Sequence, residues 1–224
     1  MATYLFFDDQ RLLVRENLER EIGAPELLPD TLFKEGFVSG AFPRVWKRAD
    51  GSWLMFYQSF VNDNGTHNVI RAAKSVDGLH FTPYTNAAAE AGIDDPVCPD
   101  QIIPGWNAEL ATVVDTGTDS QRLKMLVSEY EYEKLGVNSK IYVSEDGIRW
   151  ADTGDCWHRI GTEPLASAFF SSYLNEYVLL CRPMWGTRRV SVSLTKDFRQ
   201  FTEPQPLMQA DALDRPLEET YGLI

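Results

Sequence analysis

A chain of 224 residues with a hydrophobic fraction of 44% carries enough apolar material for one large all-β domain or two small ones. Its 33 acidic and 21 basic residues leave a net charge of −12, which repels phosphate backbones; with no local basic run, nucleic acid is not an expected partner. Three widely spaced cysteines (Cys98, Cys156, Cys181) without a CxxC pair, and a start without a basic and apolar leader, fit reduced thiols in a cytoplasmic protein; no stretch approaches a membrane span.

In chain order, residues 4–7 read as a short apolar strand candidate running into Asp8-Asp9. Residues 11–22 fit a helix or an extended arm equally, and residues 24–34 read as a loop broken by Pro25 and Pro29. Three units then repeat one plan. The first has strands at 41–47, 53–60 and from 68, with a turn at Ala49-Asp50-Gly51. The second has strands at 109–114, 123–130 and 140–143 around a polar turn. The third has strands at 165–171, 177–182 and 188–193, with a turn at Tyr173-Leu174-Asn175. Each unit closes on the same signature: Ser75-Val76-Asp77-Gly78-Leu79-His80-Phe81, then Ser144-Glu145-Asp146-Gly147-Ile148-Arg149-Trp150, then a worn copy over Ser193 to Phe201. Asp-Gly suits a tight hairpin, because Gly accepts positive φ and Asp bonds its own backbone, and the aromatic opens the next strand. Four antiparallel strands per unit, repeated, predict the blades of a β-propeller at 41–84, 108–154 and 165–204. A long connection, residues 84–106, separates the first two and reads as functional or mobile.

The Ser-x-Asp-Gly-x-x-aromatic closure resembles that of the five-bladed propeller glycoside hydrolases, the superfamily of invertases, levansucrases and arabinanases. The start Leu5-Phe6-Phe7-Asp8-Asp9, the run Tyr177-Val178-Leu179 with Arg188-Arg189-Val190, and the end Glu219-Thr220-Tyr221-Gly222 are similar to bacterial propeller proteins labelled as similar to glycoside hydrolase family 32. The chain departs from the sucrose-cleaving members: their Asn-Asp-Pro-Asn-Gly and Arg-Asp-Pro motifs are absent, so fructoside specificity does not carry over.

The resemblance implies an axial pocket beside the starts of the innermost strands, where carboxylates from different blades converge. Glycoside hydrolysis needs two of them, one protonated and one ionised. The carboxylates at the inferred starts are Glu35 or Asp30, Glu109, Glu163, and the pair Glu218-Glu219; Glu163, Glu109 and Glu35 are the catalytic candidates. Acidic residues also collect at loop ends without catalytic work. Asp8 and Asp9 either face the pocket or cap the first strand. Arg44 and Arg182 either bind substrate or a carboxylate, or form structural ion pairs. Trp106 and Trp185, flanked by glycine, are placed to stack on a sugar, whereas Trp46 reads as core. His67, His80 and His158 lack metal-ligand spacing, and neither a metal nor a cofactor is expected. Asp115-Thr116-Gly117 fits a hairpin turn.

The expected partner is therefore a carbohydrate, bound and cleaved, or bound without turnover by a non-catalytic propeller that takes a glycan or a protein. Residues 218–224 read as the start of a fourth inner strand. The expectation is an incomplete ring, covered by further blades or by a homo-oligomer, with little hydrolysis by the chain alone.

Overall fold

The computed structural model describes residues 40–60, 68–94, 96–105, 108–117, 122–131, 136–160, 162–183 and 190–208, together with Glu16, Gly23 and Ala24. Residues 1–31 form one unit and residues 32–224 another. All elements below lie in the second.

Among the described residues, alternation of apolar residues bounded by Gly, Asn and Asp turns gives three sheets of four strands. The first blade is β1 (Gly40–Lys47), β2 (Trp53–Phe60), β3 (Asn68–Ser75) and β4 (Thr82–Pro83). The second is β5 (Ala108–Asp115), β6 (Leu123–Glu131), β7 (Gly136–Ser144) and β8 (Ala151–Ile160). The third is β9 (Thr162–Ser171), β10 (Glu176–Pro183), β11 (Val190–Thr195) and β12 (Gln205–Met208). Every sheet is an antiparallel meander in chain order. The fold is that of consecutive propeller blades, with β5 lying against β1 on one side and β9 on the other. The second blade runs past the expected 154 to Ile160, and the third spans 162–208 rather than 165–204. These last strands lie at sheet edges, where hydrophobic alternation fixes little.

The blades pack through opposite faces of each sheet. Leu54, Phe56, Ile70 and Ala72 of the first meet Leu123, Met125, Val127, Tyr142 and Ile148 of the second. Val114, Leu126, Ile141 and Trp157 of the second meet Tyr177, Leu179, Cys181 and Phe198 of the third. Each such large side chain withdrawn from water contributes about 1.5–3 kcal/mol.

The repeated signature is a longer turn than a two-residue hairpin, because the Ser and Asp side chains organise six residues. Ser75 Oγ accepts from Gly78 N at 2.9 Å, and Asp77 Oδ1 accepts from Leu79 N and His80 N, both at 2.8 Å. Ser144 and Asp146 repeat this with Gly147, Ile148 and Arg149. Thr195 and Asp197 repeat it with Phe198, Arg199 and Gln200. His80 is exposed and bonds Asp77. The Asp115-Thr116-Gly117 stretch is a turn, with Asp115 Oδ1 accepting from Gly117 N at 2.9 Å.

The connection after the first blade is built into the core. It carries α1 (Ala87–Ala91), capped by Gly92 in the left-handed region, and it buries Ala87, Ile102 and Ile103 in the first inter-blade core. It also completes the first sheet, whose fourth strand is only two residues long. Ala72 N donates to Asp100 O at 2.9 Å and Ile102 N donates to Ile70 O at 3.0 Å, extending the edge that β4 leaves short.

Candidate functional site

Register, counted from the turns, brings the candidate carboxylates to one level. Trp53, Leu123 and Tyr177 pair with the turn residues Ser75, Ser144 and Thr195. Five residues further along each second strand stand Gln58, Ser128 and Arg182, and their partners on the inner strands are Ala41, Glu109 and Glu163. Glu109 and Glu163 therefore hold the same rung in adjacent blades. The second-strand members of this rung are all polar and buried, with 2%, 0% and 5% exposure for Gln58, Ser128 and Arg182. Polar groups inside a sheet cost free energy unless they are bonded. Ser128 Oγ shares a hydrogen bond of 2.8 Å with Ser139 Oγ.

Just inside this rung each inner strand breaks register. One extra residue is inserted in β1 between Ala41 and Arg44 and in β5 between Leu110 and Thr112. In β9 two are inserted between Glu163 and Ala166. Bulges bend a strand, and they cluster at rims and beside active sites. Pro43 and Pro164 lie within two of them, where the missing N–H breaks no ladder bond. On the next rung the inner strands present Arg44, Thr112 and Ser167, opposite Phe56, Leu126 and Leu180. Arg44 is half-buried, its Nη1 donates to Pro43 O at 3.2 Å, and burial lowers its pKa.

Of the residues named from sequence, Glu109, Glu163 and Arg44 thus stand on two successive rungs at the starts of the inner strands, and Arg182 pairs with Glu163 from near the end of β10. Trp46 lies in β1, packed against the first inter-blade core. Glu35, Asp30, Asp8, Asp9, Trp106, Trp185, Glu218 and Glu219 lie outside the described residues. Gln58 and Ser128 escaped the sequence reading, since a single polar residue in an apolar strand carries no signal of its rung.

A second polar cluster was also missed. Asp100, 1% exposed, takes a two-pronged contact from Arg71, with Nε–Oδ1 at 2.9 Å and Nη2–Oδ2 at 2.8 Å. Tyr57 OH donates to the same carboxylate at 3.0 Å, and Arg71 Nη1 donates to Ser59 Oγ at 3.3 Å. Burial pushes the Tyr57 phenol far above its usual range, and it pushes the Cys98 thiol up to about 12. This cluster fastens the connection to the first blade.

A cleft of about 360 Å³ between the second and third blades is lined by Thr116, Lys124, Tyr177, Lys196 and Arg199, among others. Thr116 follows the last residue of β5, so the cleft lies at the end of that strand remote from Glu109. Its margin is neutralised by pairs such as Arg199 with Asp155 at 3.5 Å. Among the described residues no group of three His, Cys, Asp or Glu is placed to hold a metal ion. No helix among them is long and apolar enough to cross a membrane.

No family model and no curated protein matches the sequence. Solved structures do. An N-acetylgalactosamine deacetylase from F. plautii, in complex with blood group B trisaccharide, is similar at 16% identity and TM-score 0.52, over 77% of this chain and 54% of that one. An exo-beta-1,3-galactanase from Clostridium thermocellum is similar at 14% identity and TM-score 0.47, over 76% and 36%. An α-L-arabinofuranosidase from Fusarium graminearum, in complex with an iminosugar inhibitor, is similar at 12% identity and TM-score 0.45, over 75% and 48%. The first likeness shows a shared fold, and the two lower scores carry no argument. The chain spans about half the length of the deacetylase.

Proposed function

We propose that this protein binds a carbohydrate at the starts of its inner strands and hydrolyses a glycosidic bond there with Glu109 and Glu163. One observation carries the reading: the two glutamates share a rung on adjacent inner strands, above bulges and against a layer of buried polar side chains. Glycoside hydrolysis requires one carboxyl group to protonate the leaving oxygen and another to attack the sugar or activate water. Arg182, directly across from Glu163, sets a buried cation beside that position, where it steadies a carboxylate or accepts a sugar hydroxyl as a hydrogen-bond partner. Arg44 supplies a second cation one rung deeper. Glu35 is the third carboxylate of the reading, and Trp106, Trp185, Asp9 and Glu219 complete the substrate contacts. Within the superfamily, the start and end motifs favour the proteins similar to glycoside hydrolase family 32, with a substrate other than a fructoside.

The test uses the protein in the form its own cells make. Release of sugar from a panel of oligosaccharides is measured for the wild type, Glu109→Gln and Glu163→Gln, beside binding to a glycan array. Turnover lost in both variants, with glycan binding retained, is the expected result. Saturable binding without turnover in the wild type replaces the hydrolase with a glycan-binding propeller. Neither binding nor turnover overturns the carbohydrate reading.

A further inference from the structure

Two positions on the seam between the second and third blades carry cations where the seam before it carries apolar residues. On the rung beyond the repeated turn, the second strands hold Leu54, Lys124 and Val178, paired with Lys74, Val143 and Leu194. Leu54 is 1% exposed in the first inter-blade core, and Val178 is buried. Lys124 is half-buried, two residues from Leu126 and on the face turned to the third blade. Within the turn itself, counted from Ser144 and Thr195, Arg199 stands where Ile148 stands in the copy before it. Ile148 packs in the same core as Leu54, whereas Arg199 and Lys124 both line the cleft. Lys196, also at the cleft, stands in the place of Glu145.

The inner strand changes with them. Trp46 stands beside Leu54 in the first seam, and its Nε1 donates to Asp115 of the second blade at 2.8 Å. Val114 takes that place beside Lys124, and the cleft of about 360 Å³ is of a size that holds a small molecule. Ile141, Val143 and Phe198 give it apolar, buried walls. The carboxylates nearby answer the three cations loosely. Asp197 accepts from the N–H groups of Arg199 and Gln200 at 2.8 and 3.0 Å. Asp155 meets Arg199, and Glu176 meets Lys196, each at 3.5 Å and with both cations 70% exposed or more, so these pairs contribute little. Cations on both walls of a cleft suit an anionic group between them. With Asp155 and Asp197 at the margin, a single negative charge fits better than a doubly charged one. We propose that this cleft binds a small molecule with a ring-sized body and one carboxylate, the carboxylate held between Lys124 and Arg199 and the body against Ile141 and Phe198. The inference stands on the seam alone, whether or not the protein cleaves sugars.

The experiment is calorimetric titration of the protein as its own cells make it, with glucuronate and benzoate as ring carboxylates of sugar and aromatic origin. Glucose serves as the neutral ring and acetate as the carboxylate without one. The variants Lys124→Leu and Arg199→Ile restore the residues of the first seam, and melts no lower than the wild type's are expected of them. Saturable binding of glucuronate or benzoate is expected, weakened about tenfold or more in each variant and by added salt. Whichever of the two binds more tightly names the source of the ring. Glu109→Gln should leave this binding unchanged, which separates it from any binding at the inner-strand starts. Binding of neither ring carboxylate overturns the proposal. So does binding that both variants retain, or binding of glucose or acetate as tight as that of the ring carboxylates and lost in the same variants.

Discussion

Gly147 and Phe198 occupy the same place in two copies of the turn and meet its backbone demand in opposite ways. Both have positive φ, +79° and +59°. At Gly147 a Cβ would lie 2.9 Å from Leu54 Cδ1 and 3.1 Å from Phe56 Cζ, so the turn of the second blade presses on the first. At Phe198 the side chain is kept and buried, its ring 4.9 Å from that of Tyr177 and 6.1 Å from that of Phe201. Gly147→Ala is expected to cost about 2–4 kcal/mol, from left-handed strain together with overpacking. Phe198→Ala is expected to cost about 3–5 kcal/mol. Phe198→Gly, which loses the same ring but relieves the backbone, should cost about 1 kcal/mol less than Phe198→Ala. Urea denaturation of the three variants checks this; a glycine variant less stable than the alanine one would show that φ at this site is unstrained.

The turn carboxylates set an acid limit. Asp77 is held below its ordinary value first by the His80 backbone N–H and then by the His80 side chain and the Leu79 N–H. Asp197 is lowered by the N–H groups of Gln200 and Arg199. At Asp146 burial pushes the other way and is outweighed by the N–H groups of Arg149 and Ile148. A carboxyl lowered on folding adds stability that is complete above its unfolded value, about 3.9, and is lost as pH falls toward the folded one. Stability should stay level down to about pH 5 and fall below about pH 4. An Asp77→Asn/Asp197→Asn variant should show a shallower fall; an unchanged slope in urea midpoints against pH would place the acid-labile groups elsewhere.

Asp100→Ala removes the two-pronged counter-ion of the buried Arg71 guanidinium, with an expected cost of about 3–5 kcal/mol. Replacing both residues, Asp100→Ala with Arg71→Met, should recover most of that loss, because the uncompensated charge goes with its partner. Thermal melts of the single and double variants decide. A double variant as unstable as the single one would mean that the connection is held by its backbone bonds and Ile102 rather than by the ion pair.

The three free cysteines should react in a fixed order. Cys156 is exposed, Cys181 is buried, and Cys98 is half-buried with its thiol raised to about 12 by burial. A thiol so raised is protonated near neutral pH and a poor nucleophile. At pH 8 a maleimide should modify one site quickly, Cys156, and reach the other two only on unfolding. Fast modification of Cys98 in the native protein, read by peptide mapping, would contradict the packing of the connection.

The first three strands of each blade were legible because their apolar residues recur at strand spacing between turn residues, so that one slip would turn every side chain to the wrong face. The fourth strands were expected after the turn aromatic, but their ends were not legible. Ala151–Ile160 is interrupted by Gly154 at φ +74° and has a polar rim, while Thr82–Pro83 owes its completion to Asp100 and Ile102 from a connection read as a loop. Glu109 and Glu163 were found as acidic residues beside strand starts. Their common rung was hidden, since it depends on bulges of unequal size; Pro43 and Pro164 were the visible signs of two of these.

Those bulges divide each inner strand into two stretches that answer to different demands. Beyond the bulge, Thr112 and Val114 are tied to Leu126 and Lys124 and so to the packing between blades. Before it, the residue opposite Ser128 or Arg182 is set by how many residues the bulge holds, and β9 already holds one more than β5. Lengthening or shortening the bulge exchanges the chemical group at that rung without shifting the strand beneath it. A lineage built on this scaffold can therefore change its chemistry by small insertions and deletions, and comparison by substitution alone would misalign the residues that matter.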